Sequence, residues 1–235
     1  VDTQAIETLC SKLAKVDTIA VYVGNGVGKA QRKVMEFIEL TGAGFVTGPT
    51  GKGWVDETHP QYHGVFGFAG HESAKKLFQD KKVDLILAVG TELEELGTSG
   101  WTDELLNTKL VHIDSVVEHF TRSPMANLHV FGDLLSVFER LIDNVKTARQ
   151  WGRQWQSLSA PNTLNAMGGH VTLGEEEKCF DASSPVKPQR LMYTLSKNLP
   201  DDARVFVDAI RLLWHMHCHG WMHGDIKLEN LMFNE

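Results

Sequence analysis

At 235 residues the chain has length for one large core, or for one domain and part of a second. A net charge of -7, with 42% hydrophobic and 23% charged residues, argues against nucleic-acid binding, which needs clustered Lys and Arg. No apolar run approaches the ~20 residues that cross a bilayer, so no membrane partner is expected either.

Cys10, Cys179 and Cys218 are few, odd in number and far apart, which argues against a disulfide framework and for a reducing, cytoplasmic compartment. The chain opens at Val1 with no signal-peptide pattern, and both its front and Asn234-Glu235 read as cut ends.

In chain order, "AIETLCSKLAKV" sets Ile6, Leu9 and Leu13 at helical spacing. "TIAVYVG" is the short β-branched apolar run of a buried parallel strand. "GNGVGKA" turns the chain into "QRKVMEFIELTGA", an amphipathic helix closed by Gly42. "GFVTG" reads as a strand, "ESAKKLFQDKK" as a helix, and "VDLILAVG", "KLVHID" and "LHVFGD" as three more strands before a last helix, "LLSVFERLIDNV". Strands alternating with helices at this spacing predict a parallel sheet covered on both faces, and right-handed crossovers make it an α/β, doubly wound, Rossmann-like domain over residues 1–147. Residues 148–186 mix Gly, Ser, Pro and charge without a period and read as a linker. "QRLMYTLSKNLP" then predicts a helix stopped by Pro200, "ARVFVD" a strand, and "AIRLLWHMHCHG" a helix ended by Gly220.

The loop "VGNGVGKA" (Val23 to Ala30) lies at the carboxyl end of the first strand, where open parallel sheets bind ligands. Gly24 and Gly26 permit a tight turn and close backbone approach, and a following helix start offers unpaired N–H groups to an anion. The alternative is that they only turn the chain. "AVGTELEE" (Ala88 to Glu95) and "HIDS" (His112 to Ser115) also end strands, so three loops converge on one edge. It is not a kinase lid, because it opens a helix rather than joining antiparallel strands. Nor is it a Walker A loop, since Ala30 stands where Ser or Thr is needed.

The glycine turn, the stretch "EFIELTGAGFVTGPTGKGWVDETHPQYHGVFGFAGHESA" (Glu36 to Ala74), and the strands "DLILAVGTELEE" and "KLVHIDS" occur in one order. Residues 4–141 thereby resemble the central domain of thiamine-diphosphate-dependent enzymes of the acetolactate synthase and pyruvate decarboxylase group. "QRLMYTLSKNLPDDARVFVDA" (Gln189 to Ala209) resembles the opening of that family's third, diphosphate-holding domain, here residues 187–208. The resemblance implies a homo-oligomeric lyase or transferase in which a thiazolium ylid attacks a 2-oxo acid. It also implies a thiamine diphosphate and Mg²⁺ site built from the first domain's glutamate and a "GDG … NN" segment. This chain carries neither: "FGDL" (Phe131 to Leu134) lacks the second glycine, and too little follows "HGDI" (His223 to Ile226). The missing domains of the parent enzyme are therefore expected partners. Some members bind FAD or ADP on the central domain, which makes Gly24, Asn25, Gly26, Gly90 and Asp114 the cofactor-contact candidates.

Residues 209–235 depart from that pattern. "HGDIKLEN" resembles the kinase catalytic loop H-R-D-L-x-x-x-N. On that resemblance Asp225 accepts the substrate hydroxyl proton, Lys227 steadies the transferred phosphate of ATP, and Asn230 holds Mg²⁺; Gly224 replaces the usual Arg. The other kinase elements, the glycine lid and D-F-G among them, are absent, so the loop cannot transfer phosphate alone. His215, His217 and His219 alternate, so on a helix the three cannot converge on one metal ion; only His215 and His219 stand at the i, i+4 spacing that could. The expectation is a fragment of a thiamine-diphosphate-dependent enzyme, chiefly its non-catalytic central domain. The alternatives are a fused kinase segment and a nucleotide-binding module without chemistry.

Overall fold

The computed structural model describes residues 1–68, 70–159, 176–200 and Ala203. The chain divides into two compact units, Val1–Thr172 and Leu173–Glu235. The strand expected near residues 203–208, the helix expected after it and the kinase-like loop with Asp225, Lys227 and Asn230 lie outside the described residues apart from Ala203.

The first unit is a six-stranded, all-parallel sheet flanked by helices, a doubly wound Rossmann-like α/β fold. Its strands are β1 (Ile19–Val23), β2 (Gly44–Thr47), β3 (Tyr62–Val65), β4 (Leu85–Val89), β5 (Leu110–Asp114) and β6 (Leu128–Phe131), ordered β3-β2-β1-β4-β5-β6. The order reverses between β1 and β4, the position at which such sheets open a crevice beyond their carboxyl ends. Helices α1 (Thr3–Leu13), α2 (Gln31–Thr41), α3 (Glu72–Gln79) and α4 (Leu134–Gln150) complete the unit.

The fully apolar strand runs are explained by burial on both faces. Val21 and Val23 of β1, with Leu87 and Val89 of β4, join the core formed with α1, α2 and α4, centred on Phe37, Phe138 and Leu141. Ala20, Tyr22, Ile86 and Ala88 point the other way, into a second core with Phe66 and Phe78, roofed by Leu93, Leu105 and Leu106. Each large aliphatic or aromatic side chain so buried contributes about 1.5–3 kcal/mol.

Local signals set the helix ends. Asp2 accepts from the Ala5 N–H at 2.9 Å to cap α1, and Asp133 accepts from the Ser136 N–H at 2.9 Å to cap α4. Gly42 (φ 68°) closes α2 in the left-handed conformation.

The structure differs from the sequence reading in three places. β3, "YHGV", is a sixth strand that the sequence did not announce: it is four residues long, carries Gly64 at φ 104°, and pairs with β2 across a register shift. The glycine loop does not pass straight into an α-helix. Asn25–Ala30 forms 3-10 turns with a break at Gly28 (φ 40°, ψ -120°), and α2 starts only at Gln31.

Residues 153–158, which lack any period, are fastened to the unit as a strap. Arg153 donates to the Val16 carbonyl, the Trp155 indole to Leu13 O at 3.1 Å, and the Gln156 N–H to Asp17 O at 2.8 Å. The Leu158 N–H donates to Gly42 O at 2.9 Å.

In the second unit α5 (Glu176–Phe180) and α6 (Pro188–Asn198) are described. Pro188 stands in the first turn of α6, where its missing N–H costs nothing. Phe180 meets Tyr193 edge-on at 5.1 Å, and Arg190 donates to Asp181 O at 2.7 Å.

Candidate functional site

Because β1, β4 and β5 are neighbours, the three loops singled out in the sequence share the carboxyl edge of the sheet. They are stitched together by backbone. Gly24 N–H donates to Val89 O at 2.9 Å, Gly26 N–H to Gly90 O at 2.8 Å, and Gly90 N–H to Ile113 O at 3.0 Å. This closeness is what requires glycine. A Cβ on Gly24 would lie 2.2 Å from Gly90 O and 2.5 Å from Thr91 Cβ. Gly90, at φ 59°, would put a Cβ 2.7 Å from the Val27 nitrogen. Gly24 is buried in this contact, while Asn25 and Gly26 remain exposed.

The β2 loop closes over the same place. Gly48 N–H donates to Val23 O at 3.3 Å, and the exposed Trp54 donates its indole N–H to Asn25 Oδ1 at 2.9 Å. Below, Tyr22 donates its hydroxyl to Gly97 O at 3.1 Å. Burial, reinforced by the nearby Glu94 charge and only partly offset by the Thr91 hydroxyl, pushes the Tyr22 phenol well above its ordinary range, so it stays a neutral donor.

Asp114 ends β5 and turns inward. One carboxylate oxygen accepts from the Val116 N–H at 2.9 Å and the other from His119 Nδ1 at 3.1 Å. Burial alone would raise this acid; the His112 ring nearby, with Nε2 3.8 Å from Oδ2, and hydrogen bonds from His119 and the Val116 N–H outweigh it and hold the carboxyl below the usual aspartate range. At 2% exposure the carboxylate serves the loop that follows β5 rather than facing outward.

A buried polar chain lies beside it, which the sequence reading did not identify. His112 Nε2 sits 2.8 Å from the Thr91 carbonyl, which can only accept, so Nε2 carries the proton. Nδ1 therefore accepts from Ser123 Oγ at 2.8 Å. His129 Nε2 in turn donates to Ser123 O at 3.0 Å, with Ser123 Oγ at 3.1 Å. The chain joins the loop after β4 to β5, to the loop after β5 and to β6. Its one sequence signal was a histidine inside the apolar run "LVHID", since a polar residue in a fully buried strand needs partners.

Among its exposed charged residues the edge also shows large apolar side chains to solvent. Trp54, Phe68, Leu96, Trp101, Val116 and Val117 are all exposed, and all sit on loops that leave strand carboxyl ends. The loop after β4 holds Leu93, Ser99 and Trp101 at φ 50°, 55° and 58°, a cost of about 1–3 kcal/mol each that cores do not need and sites often keep. Among the described residues no group of three or more His, Cys, Asp or Glu is arranged to hold a metal ion. Asn25 and the indoles of Trp54 and Trp101 stand exposed on this edge. Surface grooves of about 490 Å³ (along Leu40, Gly42 and Trp155) and 370 Å³ (along Ile6, Cys10 and Arg140) lie away from this edge.

A family model described as "Thiamine pyrophosphate enzyme, central domain" matches residues 6–141, more than half of the chain. An acetolactate synthase of Mycobacterium avium is 29% identical over 125 residues, covering 52% of this chain and 20% of its own length. The acetolactate synthase isozyme 3 large subunit of Escherichia coli strain K12 is 24% identical over 217 residues, covering 88% of this chain and 34% of its own. A pyruvate decarboxylase of Aspergillus fumigatus is 32% identical over 115 residues, covering 48% and 20%. The chain thus spans between a fifth and a third of the length of these curated relatives.

Proposed function

Given that the chain belongs to the thiamine pyrophosphate enzyme family by its central domain, we propose that it is the scaffold portion of a cytoplasmic, homo-oligomeric thiamine-diphosphate-dependent lyase or transferase acting on 2-oxo acids. The observation that carries this reading is the coincidence of the matched residues, 6–141, with the doubly wound unit and its three-loop edge. Thiamine diphosphate and Mg²⁺ belong to the remaining domains of the parent enzyme, and no catalytic step is assigned to the residues of the first unit. The work of this unit is to present its carboxyl edge.

That edge takes FAD rather than a free nucleotide in this reading. The Asn25 amide bonds the polar part of the dinucleotide, Gly26 holds its loop against Gly90, and Trp54 and Trp101 cover the flat rings. Gly24 and Gly90 act indirectly by letting the two loops touch, and Asp114 acts indirectly by fixing the loop after β5. FAD supplies a redox-active flavin where it reacts, but here it fills and stiffens the edge.

A second reading rests on the sequence "HGDIKLEN": a kinase segment with Asp225 as base, Lys227 on the phosphate and Asn230 on Mg²⁺, using ATP. Titrating the purified chain with FAD and following flavin fluorescence separates the readings. Quenching that Trp54→Ala weakens supports the scaffold with its dinucleotide edge. Phosphate transfer from ATP that Asp225→Ala abolishes would replace it.

A further inference from the structure

We propose that the strap at residues 153–158 is a latch that acidification releases through His63. His63 is the second residue of β3 and is 7% exposed. Its Nε2 lies 3.2 Å from the Leu158 carbonyl, to which it donates. The fit around this contact is tight: a Cβ on Gly44 would come within 2.9 Å of His63 Nε2 and 3.0 Å of Leu158. The imidazole is thus roofed by the strap and floored by β2.

Among the described residues no counter-ion is built for it. β2 (Gly44–Thr47) and residues 156–159 carry no charged side chain. Glu72, Lys75 and Lys76 of α3 are exposed. His71, ahead of α3, accepts from the Val65 N–H at 2.9 Å, and His59, ahead of β3, faces Glu39 at 3.8 Å. None of these acts on His63. Burial lowers its affinity for a proton, and only the Leu158 carbonyl works in the opposite direction.

A second proton would place a charge between β2 and the strap with no carboxylate to meet it. Opening the strap returns the ring to water and relieves that cost. The sign follows from the lowered value in the closed form. Closure is at full strength above the ordinary histidine value of ~6.5 and weakens as pH falls from there toward the lowered one. Trp155, Gln156 and Leu158 hold the strap in the neutral state.

Hydrogen exchange of the whole chain at pH 7.5 and 5.5, normalised to intrinsic rates, tests the latch at the Gln156 and Leu158 amides. The expected result is a loss of protection of about five- to tenfold at the lower pH, with β4 unchanged. His63→Gln keeps a donor toward Leu158 but cannot be charged, and it should abolish that pH dependence. This variant also separates His63 from the Arg153–Asp17 pair, which it leaves in place. Protection that does not change with pH, or that falls equally in His63→Gln, overturns the proposal. If the variant does not fold, the ring resonances of His63 in the unmodified chain decide: titration below ~6.5 supports the latch and titration at or above it refutes it.

Discussion

Replacing Gly24 by Ala separates a glycine needed by the fold from one needed only by a ligand. The added Cβ would meet Gly90 O at 2.2 Å and Thr91 Cβ at 2.5 Å, and neither the carbonyl nor a β-branched Cβ can swing aside as a long side chain would. The β1 and β4 loops must move apart, stretching the 2.9 Å bond from Gly24 N–H to Val89 O and the 2.8 Å bond from Gly26 N–H to Gly90 O. Overpacking of this kind costs about 1–3 kcal/mol. Taking the middle of that range, the melting midpoint of the purified chain without cofactor should fall by roughly 4–8 °C. The control is Gly53→Ala, where nothing lies within 4 Å of the new Cβ and the backbone needs no positive φ. Its effect should stay within about 0.5 kcal/mol. Calorimetry of both variants settles the matter. Equal midpoints would show that the two loops do not touch as described and that Gly24 matters, if at all, only to a bound group.

Other outcomes follow from the same edge and from the strap. Asp114→Asn should lower stability near neutral pH by about 1.5–3 kcal/mol through loss of charge-assisted bonds. Because the carboxyl is held low in the folded chain, that contribution is present above the ordinary value near ~3.9 and vanishes as pH falls through the lowered one. The urea midpoints of variant and parent should therefore converge in acid. His112→Ala should cost about 2–5 kcal/mol, since it leaves a cavity and strands Ser123 Oγ and Thr91 O; a urea midpoint within error of the parent would dismiss the buried polar chain. A chain ending at Thr147 should melt below one ending at Ser159, because only the longer chain keeps the bonds from Arg153, Trp155, Gln156 and Leu158.

The parts of this fold that declare themselves in sequence are those set by burial. β1 and β4 are buried along their whole length and read as uninterrupted apolar runs. β3 hides because it is an edge strand with a glycine in it, held partly by Tyr62, which packs on Phe45 at 5.2 Å and shares a 3.0 Å bond with Thr47. The strap hides for a different reason: backbone amides, an indole and a guanidinium fasten it, and such contacts impose no period. The convergence of Gly24, Gly26 and Gly90 on one edge was legible from strand ends alone. What those glycines face was not, because Gly90 O and Thr91 come close only once β1 and β4 lie side by side. Asp114 could likewise be placed at the edge, but the inward turn of its carboxylate depends on His119 and Val116 in the loop beyond.

The sheet order also governs how the unit assembles during synthesis. β1 is central, yet one of its two partners, β4, arrives much later: Ile19 pairs with Leu85 and Val23 with Val89. At ~5–20 residues per second, β1 waits roughly 3–13 s for that partner after it has been made. By the end of that interval only β3, β2 and β1 can have paired, a partial sheet whose β1 edge is open and apolar, the arrangement prone to pair with another chain. Closure comes later still, when Phe131 accepts from the Asp2 N–H at 2.9 Å and brings α1 against β6. Nascent chains stalled before about residue 89 should therefore be the ones that chaperones hold, and release should coincide with the appearance of β4.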